Sequence, residues 1–289
     1  MAANITASLV NELRTKSGAG MMDCKRALVE SDGNLDNAMD ILRKNGAATA
    51  AKRADRDARE GVILTKVSEN RLEGAMVEVN CETDFVAKSD DFLSFVGVVL
   101  EHAFASKVNG SEAFLAGNEN IPSLINDVVG KVGEKTAVSR VAFEAVESGY
   151  IAEYVHPGNK VGALVKFINL DQSKREVFAP LARNIAVQVA AMKPLSVSRT
   201  DVPADIVAKE VEIYRDQAKN EGKPDNILER IASGKLEKFY KEVCLMEQDY
   251  FKDMSNARTI AQLIQEFNKE QEASVELKSF ALFLLGGSK

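Results

Sequence analysis

Gly74-Ala-Met-Val-Glu-Val-Asn80 runs directly into Cys81-Glu-Thr-Asp84-Phe85-Val-Ala-Lys88, and the change of pattern inside this stretch decides how the chain is read. The first part alternates. Ala75, Val77, Val79 and Cys81 share one face by the period of two, and Met76, Glu78, Asn80 and Glu82 share the other, which predicts a strand with Cys81 on the core side. The next helix is expected to begin at Ser89, whose hydroxyl can cap free N–H groups while Asp90 and Asp91 suit the positive helix end. Phe92, Val96, Val99, Leu100 and Ala103 then form an inward stripe. Thr83 to Lys88 fall outside both elements, as a turn with an acid beside a large hydrophobe. One reading makes Asp84 a turn residue and Phe85 a staple on the following helix. The other leaves the aromatic ring in water until a partner covers it, because exposed apolar surface is costly.

On the N-terminal side, residues 1–46 read as three short helices. Their stripes are Ile5, Leu9, Val10 and Leu13; Met22, Cys24, Ala27 and Leu28; and Leu35, Ala38, Met39 and Leu42, with Gly18, Gly20, Gly33 and Gly46 as punctuation. Residues 47–60 are rich in Ala, Arg and Asp, can form a helix, and offer little to anchor it, so a tether is expected. Strands are predicted at 62–67, 72–81, 140–146, 150–155 and 160–170, with helical regions from Ser89 to about Gly133 and over 176–192. A hairpin of helices is expected over 204–243, turning at Gly222-Lys-Pro224, followed by a helix over 260–267 and a last strand over 275–285. Val207, Val211, Tyr214 and Ala218 on one arm, and Ile227, Ile231, Phe239 and Val243 on the other, mark the facing stripes. Gly74-Ala-Met-Val-Glu-Val and Gly162-Ala-Leu-Val-Lys-Phe are matching strand openings, each leading to a turn and an amphipathic helix. The first copy puts Asp84-Phe85 into its turn and the second puts Leu170-Asp-Gln-Ser-Lys174, so the turn itself does not require Phe85. The expected architecture is α+β: a three-helix bundle, then two related strand-helix core subdomains, 61–136 and 137–195 with 244–289, with the helical hairpin inserted at 196–243.

The 289 residues are 45% hydrophobic, enough for a sizeable core, and contain no apolar run approaching the roughly 20 residues that span a bilayer. With no signal-peptide pattern at the start, a cytoplasmic protein is expected. Cys24, Cys81 and Cys244 stand far apart and read as reduced and structural. A net charge of −6 without a basic block disfavours direct nucleic-acid binding and favours a protein partner. Gly130-Lys-Val-Gly133-Glu-Lys135-Thr136 fails as a phosphate loop, since Glu134 interrupts it and a helix precedes it. His102, on a charged helix, and His156, in a turn between strands, are too few for a histidine metal site. Met21 and Met22 point about 100° apart on a helix, so either one or both can be core.

Thr83-Asp84-Phe85-Val86 with its preceding strand, together with Ile5-Thr-Ala-Ser-Leu-Val and Gly18-Ala-Gly-Met-Met-Asp-Cys-Lys25, closely resembles translation elongation factor Ts over nearly the whole chain. The resemblance implies a guanine-nucleotide exchange factor for the translational GTPase elongation factor Tu, without bond chemistry or a cofactor of its own. It implies that the first module is similar to ubiquitin-associated domains and docks on the partner's nucleotide-binding domain. Thr83, Asp84, Phe85 and Val86 are then the residues that insert near the partner's magnesium site. Arg14, Met21 and Met22 are candidates for the first contact, and His156 matches a position that faces the partner's other domains. Many family members continue into a further C-terminal helix, whereas this sequence stops at Gly286-Gly-Ser-Lys289, which puts any partner contact through that helix in doubt. The charged hairpin reads as a solvated arm, with a homodimer or a two-by-two complex through it left open. Two competing classes are an adaptor built on the N-terminal bundle, and an acyl-transfer enzyme using Cys81 or His156.

Overall fold

The computed structural model describes residues 5–252 and 258–287. Three helices, α1 (Ala7–Ser17), α2 (Met21–Glu30) and α3 (Leu35–Lys52), open the chain. Strands β1 (Glu60–Val67) and β2 (Glu73–Cys81) precede four helices: α4 (Asp84–Ala87), α5 (Asp90–Ser106), α6 (Ser111–Gly117) and α7 (Asn120–Val132). Strand β3 (Thr136–Ala145) then returns to pair with β2, closing an antiparallel sheet of order β1-β2-β3. Strands β4 (Gly149–Val155) and β5 (Val161–Ile168) begin a second sheet. Helix α8 (Arg175–Met192), the hairpin arms α9 (Ala204–Asn220) and α10 (Asp225–Val243), and α11 (Ile260–Glu270) intervene before β6 (Glu276–Leu284) completes the order β4-β5-β6. The architecture is α+β. No helix among the described residues is long and apolar enough to cross a membrane.

Each sheet has helices behind it and the other sheet in front. Ala75, Val77, Val79 and Cys81 pack with Phe92, Val96, Val99 and Ala103 of α5, as strand parity and the helical stripe require. Behind the second sheet, Ala163, Val165 and Phe167 pack on Phe178, Ile185 and Val189 of α8 and on Ile264 and Phe267 of α11. The middle layer takes one residue from every strand: Ile63, Met76, Ala142, Ile151, Leu164 and Phe283. The alternation in β2 therefore reports its two faces correctly but understates how closed they are, because the face with Met76, Glu78 and Asn80 is buried against the second sheet.

Burying Glu78 there requires partners for its charge. Its Oε2 accepts from Arg140 Nε at 2.6 Å, and its Oε1 accepts from Asn80 Nδ2 and the Gly286 amide, both at 3.0 Å. Arg140 also donates to the Leu284 carbonyl at 2.5 Å and lies 4.3 Å from the centre of the Phe283 ring. The pair thus stitches the first sheet to the last strand of the second.

The echo between Gly74 and Gly162 extends further than those two strand openings. A Cβ on Gly162 would meet Ile63 Cγ2 at 2.5 Å and Met76 Sδ at 2.9 Å, and one on Gly74 would meet Ile151 Cγ2 at 2.8 Å. Gly61 and Gly149 are spaced likewise, and a Cβ on them would strike the carbonyls of Val79 and Phe167 at 2.1 and 2.0 Å. The pairing register slips between Glu78 and Val79 in one sheet and between Lys166 and Phe167 in the other, again at matching positions.

Two expectations change. Helix α3 does not stop at Gly46 but continues to Lys52. Gly46 is buried in the α3–α7 contact, where its missing side chain lets the backbones approach: a Cβ would sit 2.7 Å from the Asn126 carbonyl oxygen, and Gly130 faces it. The expected tether is thus helical from Ala47 to Lys52. In the hairpin, α10 buries Leu228 and Ala232 with Ala218 of α9, one residue round from the expected Ile227 and Ile231, which are half-buried. Neighbouring stripes on one helix differ by a single 100° step, and the packing partner chooses between them.

Gly162→Ala should therefore destabilise the fold by about 1–3 kcal/mol, since Ile63 is β-branched and cannot swing clear. An unchanged denaturation midpoint would show that the inter-sheet spacing tolerates a methyl group.

Candidate functional site

The turn after β2 is not irregular. Thr83, with extended backbone, caps a single helical turn, Asp84–Ala87, its hydroxyl oxygen accepting from the Val86 amide at 3.3 Å. Ser89 caps α5 as expected, accepting from the Phe92 amide at 3.4 Å. Ala87 faces inward and Val86 packs against the core, which turns Phe85 outward: it is 83% exposed, the most exposed of the large hydrophobic residues among those described. It is no staple on α5.

The second half of the core supplies the control. At the matching position Asp171 caps a short 3-10 turn, Gln172–Lys174, where Ser173 occupies the place of Phe85 and buried Leu170 the place of Glu82. The same local geometry forms without an aromatic residue. Asp84 is bonded to Lys88 at 2.7 Å; that bond holds its carboxyl below the usual range against the opposing effect of its surroundings, and Lys160 adds to the effect. Lys160 in turn pairs with Glu60 of β1 at 2.8 Å.

A cluster of charges supports the turn from beneath. Glu82 accepts from Arg53 Nη1 at 2.7 Å, Arg56 Nη1 at 3.1 Å and the Lys135 amide at 2.7 Å. Burial by itself would raise the Glu82 carboxyl, but these three donors outweigh it and hold it lowered to about 2. The Lys135 ammonium donates to the Ala54 and Arg56 carbonyls at 2.6 and 2.7 Å. Glu134 accepts two bonds from Thr83. The segment after α3 is thereby anchored, though by ions rather than by the apolar contacts its composition lacks. Sequence spacing gives no hint that Glu82 and Thr83 meet residues 53–56 and 134–135.

The structure brings His156 to the same edge of the core as Asp84. The β4–β5 turn is tied to β1 by the Ile63 amide donating to the Asn159 carbonyl at 2.7 Å, and α4 packs on β1 and β2. His156 is exposed, with Nδ1 2.9 Å from the Tyr154 hydroxyl. Arg14, Met21 and Met22 lie apart, on the three-helix module. Arg14 is exposed, and both methionines are too, at 52% and 64%, which corrects the placing of Met22 in the bundle stripe. Cys24, Ala27 and Leu28 fill that core without it.

Cys81 is not placed to act as a nucleophile. Cys81 is buried, its thiol donates to the Thr83 carbonyl at 3.1 Å, and burial pushes it up to about 12, so no thiolate forms near neutrality. All three cysteines are free and buried. No group of three or more His, Cys, Asp or Glu residues able to hold a metal occurs among the described residues. Residues 130–136 comprise the end of α7, a left-handed Gly133 and the start of β3, and no strand leads into them.

A family model described as Elongation factor TS matches residues 82–287. The exposed turn on its two-sheet core is thus that of a translation elongation factor. A curated protein named Elongation factor Ts from Prosthecochloris aestuarii is 42% identical over 98% of this chain and 99% of its own length. Proteins of the same name from Chloroherpeton thalassium and Clostridium perfringens are each 41% identical, covering 98% of this chain and 99% and 93% of their own lengths. The chain belongs to the elongation factor Ts family.

The Glu82 cluster has a definite pH dependence. Its folded value lies below the ordinary one of 4.5, so its contribution is complete above that pH and is lost as pH falls through about 2. Glu82→Gln should lower the denaturation midpoint at pH 7, and the gap between variant and parent should shrink as the pH falls from about 4.5 toward 2. A gap independent of pH would assign the loss to shape, not charge.

Proposed function

We propose that the chain is the guanine-nucleotide exchange factor of a cytoplasmic elongation factor Tu, binding its GDP-loaded form and promoting GDP release during translation elongation. The observation that carries this reading is Phe85. It is an aromatic ring held in water at the tip of a capped turn, beside an ionised Asp84, where the duplicate turn has Ser173. Exposed aromatic surface on a rigid support is what a docking wedge needs.

The thermodynamics constrain the mechanism. A protein that speeds GDP release must bind the empty partner better than the loaded one, and by linkage GDP weakens its binding by the same factor. Phe85 pries apart packed helices of the partner, while Thr83, Asp84 and Val86 accompany it. Asp84 rearranges the hydrogen bonds that support the magnesium ion, and loss of that charge loosens the phosphates. No covalent bond is made or broken, and no cofactor is used.

One ring is not sufficient. A thousandfold faster release needs about 4 kcal/mol, whereas burying a Phe supplies roughly 1.5–3 kcal/mol. The remainder comes from a broad interface. In this reading residues 1–46 are a docking module, with Arg14, Met21 and Met22 touching the partner, and His156 faces its other domains. Several modest contacts raise the effective concentration of the wedge. The hairpin at 196–243 is read as an arm, with pairing of two complexes through it as its proposed use.

Release of a fluorescent GDP analogue from purified elongation factor Tu, in excess unlabelled GDP at fixed magnesium, tests the reading. The chain should accelerate release strongly, and Phe85→Ala should reduce the acceleration at least roughly tenfold with the melting temperature retained. Undiminished acceleration by Phe85→Ala would remove the wedge.

A further inference from the structure

We propose that Glu134 is a positioning residue for the insertion turn: delivered by the chain reversal after α7, its carboxylate sets Thr83 and thereby the start of the turn that carries Phe85. The inference rests on the exchange reading and adds to it a residue that the reading does not use.

Both oxygens of Glu134 are engaged on one residue. The Thr83 amide donates to Oε2 at 2.9 Å and the Thr83 hydroxyl donates to Oε1 at 2.7 Å. A hydroxyl has one proton, and here it is committed to the carboxylate, so a lone pair is left to face the Val86 amide at 3.3 Å. The two bonds form a chain in which the charged acceptor strengthens the cap. A helix of four residues cannot hold itself, because a single turn orders many dihedrals for few bonds. The packing of Val86 and Ala87 sends Phe85 outward, Thr83 fixes the start of the turn that carries it, and Glu134 fixes Thr83.

The duplicate turn again shows what is added. There Asp171 Oδ1 accepts directly from the Ser173 amide at 2.8 Å and the Ser173 hydroxyl at 2.6 Å, so the cap carries its own carboxylate. In the first half the cap is neutral and the carboxylate comes from a distant segment. That segment is itself fixed: left-handed Gly133, with φ +70°, turns the chain back, and the Lys135 amide binds Glu82. Helix α7, which ends there, is the helix on which α3 of the three-helix module packs through Gly46 and Gly130. The support of the turn thus follows directly on the helix that seats the module.

Steady-state exchange with the full chain, varying the concentration of GDP-loaded elongation factor Tu, separates positioning from docking. Glu134→Ala should lower kcat about tenfold and change KM less than about twofold, while amide hydrogen exchange at Thr83 and Val86 speeds up. Glu134→Gln keeps one carbonyl acceptor and should fall between the two. If Glu134→Ala melts early, the near-isosteric Gln variant decides alone. Phe85→Ala is measured alongside. Impaired Phe85→Ala with both Glu134 variants exchanging like the parent overturns the positioning role, as does a raised KM at unchanged kcat. An unimpaired Phe85→Ala overturns the wedge itself and the positioning role with it.

Discussion

With Ile63 Cγ2 standing where a methyl group on Gly162 would have to go, and Ile151 Cγ2 likewise at Gly74, the two sheets can meet only because both positions lack side chains. That approach brings one residue from each of six strands into a shared apolar layer and leaves room in it for a carboxylate and a guanidinium. It also forces helices to the outer faces, since each sheet has used one face on the other. Strand β2 is consequently closed on both sides, and the chain leaving it at Cys81 emerges at the edge of a stiff double layer.

The polar centre of that layer serves definition more than stability. Replacing a buried ion pair by matched apolar residues is often neutral or favourable, while removing one partner is costly. Glu78 and Arg140 are bonded to each other across β2 and β3 and to Leu284 and Gly286 at the end of β6, so any other register would leave a charge without its bonds. The network ties the last strand to the first sheet in one arrangement.

Much of this was legible in the residues. The period-two pattern of Ala75 to Cys81, the Ser89 cap and the Phe92 to Ala103 stripe each have a local cause, and each appears as read. The Gly-Ala-x-Val echo was visible as similarity, but its meaning as a contact was not, because nothing in either strand says that it faces the other. Gly46 misled for a related reason: glycine at a helix end and glycine at a helix crossing look alike until the neighbour is known. Phe85 could be singled out by contrast with residues 170–174, whereas Glu82, Glu134, Arg53 and Arg56 act across sequence separations of 26 to 53, with no period to announce them. Charged groups are the commonest surface residues, so those that bear on a site are hidden among those that do not.

The glycine contacts carry one more consequence. Gly162 touches Ile63 and Met76, and Gly74 touches Ile151 and Leu164, which are the counterparts of those two residues in the other half. Reciprocal contact of this kind is the mark of an isologous interface, the arrangement of a twofold-symmetric homodimer. The core is therefore a dimer written into one chain. A true homodimer would present the same turn twice; joining the halves covalently released one copy from that obligation. Thr83 to Val86 and Asp171 to Lys174 could then diverge, so the molecule presents a single exposed aromatic ring, Phe85, and an asymmetric face.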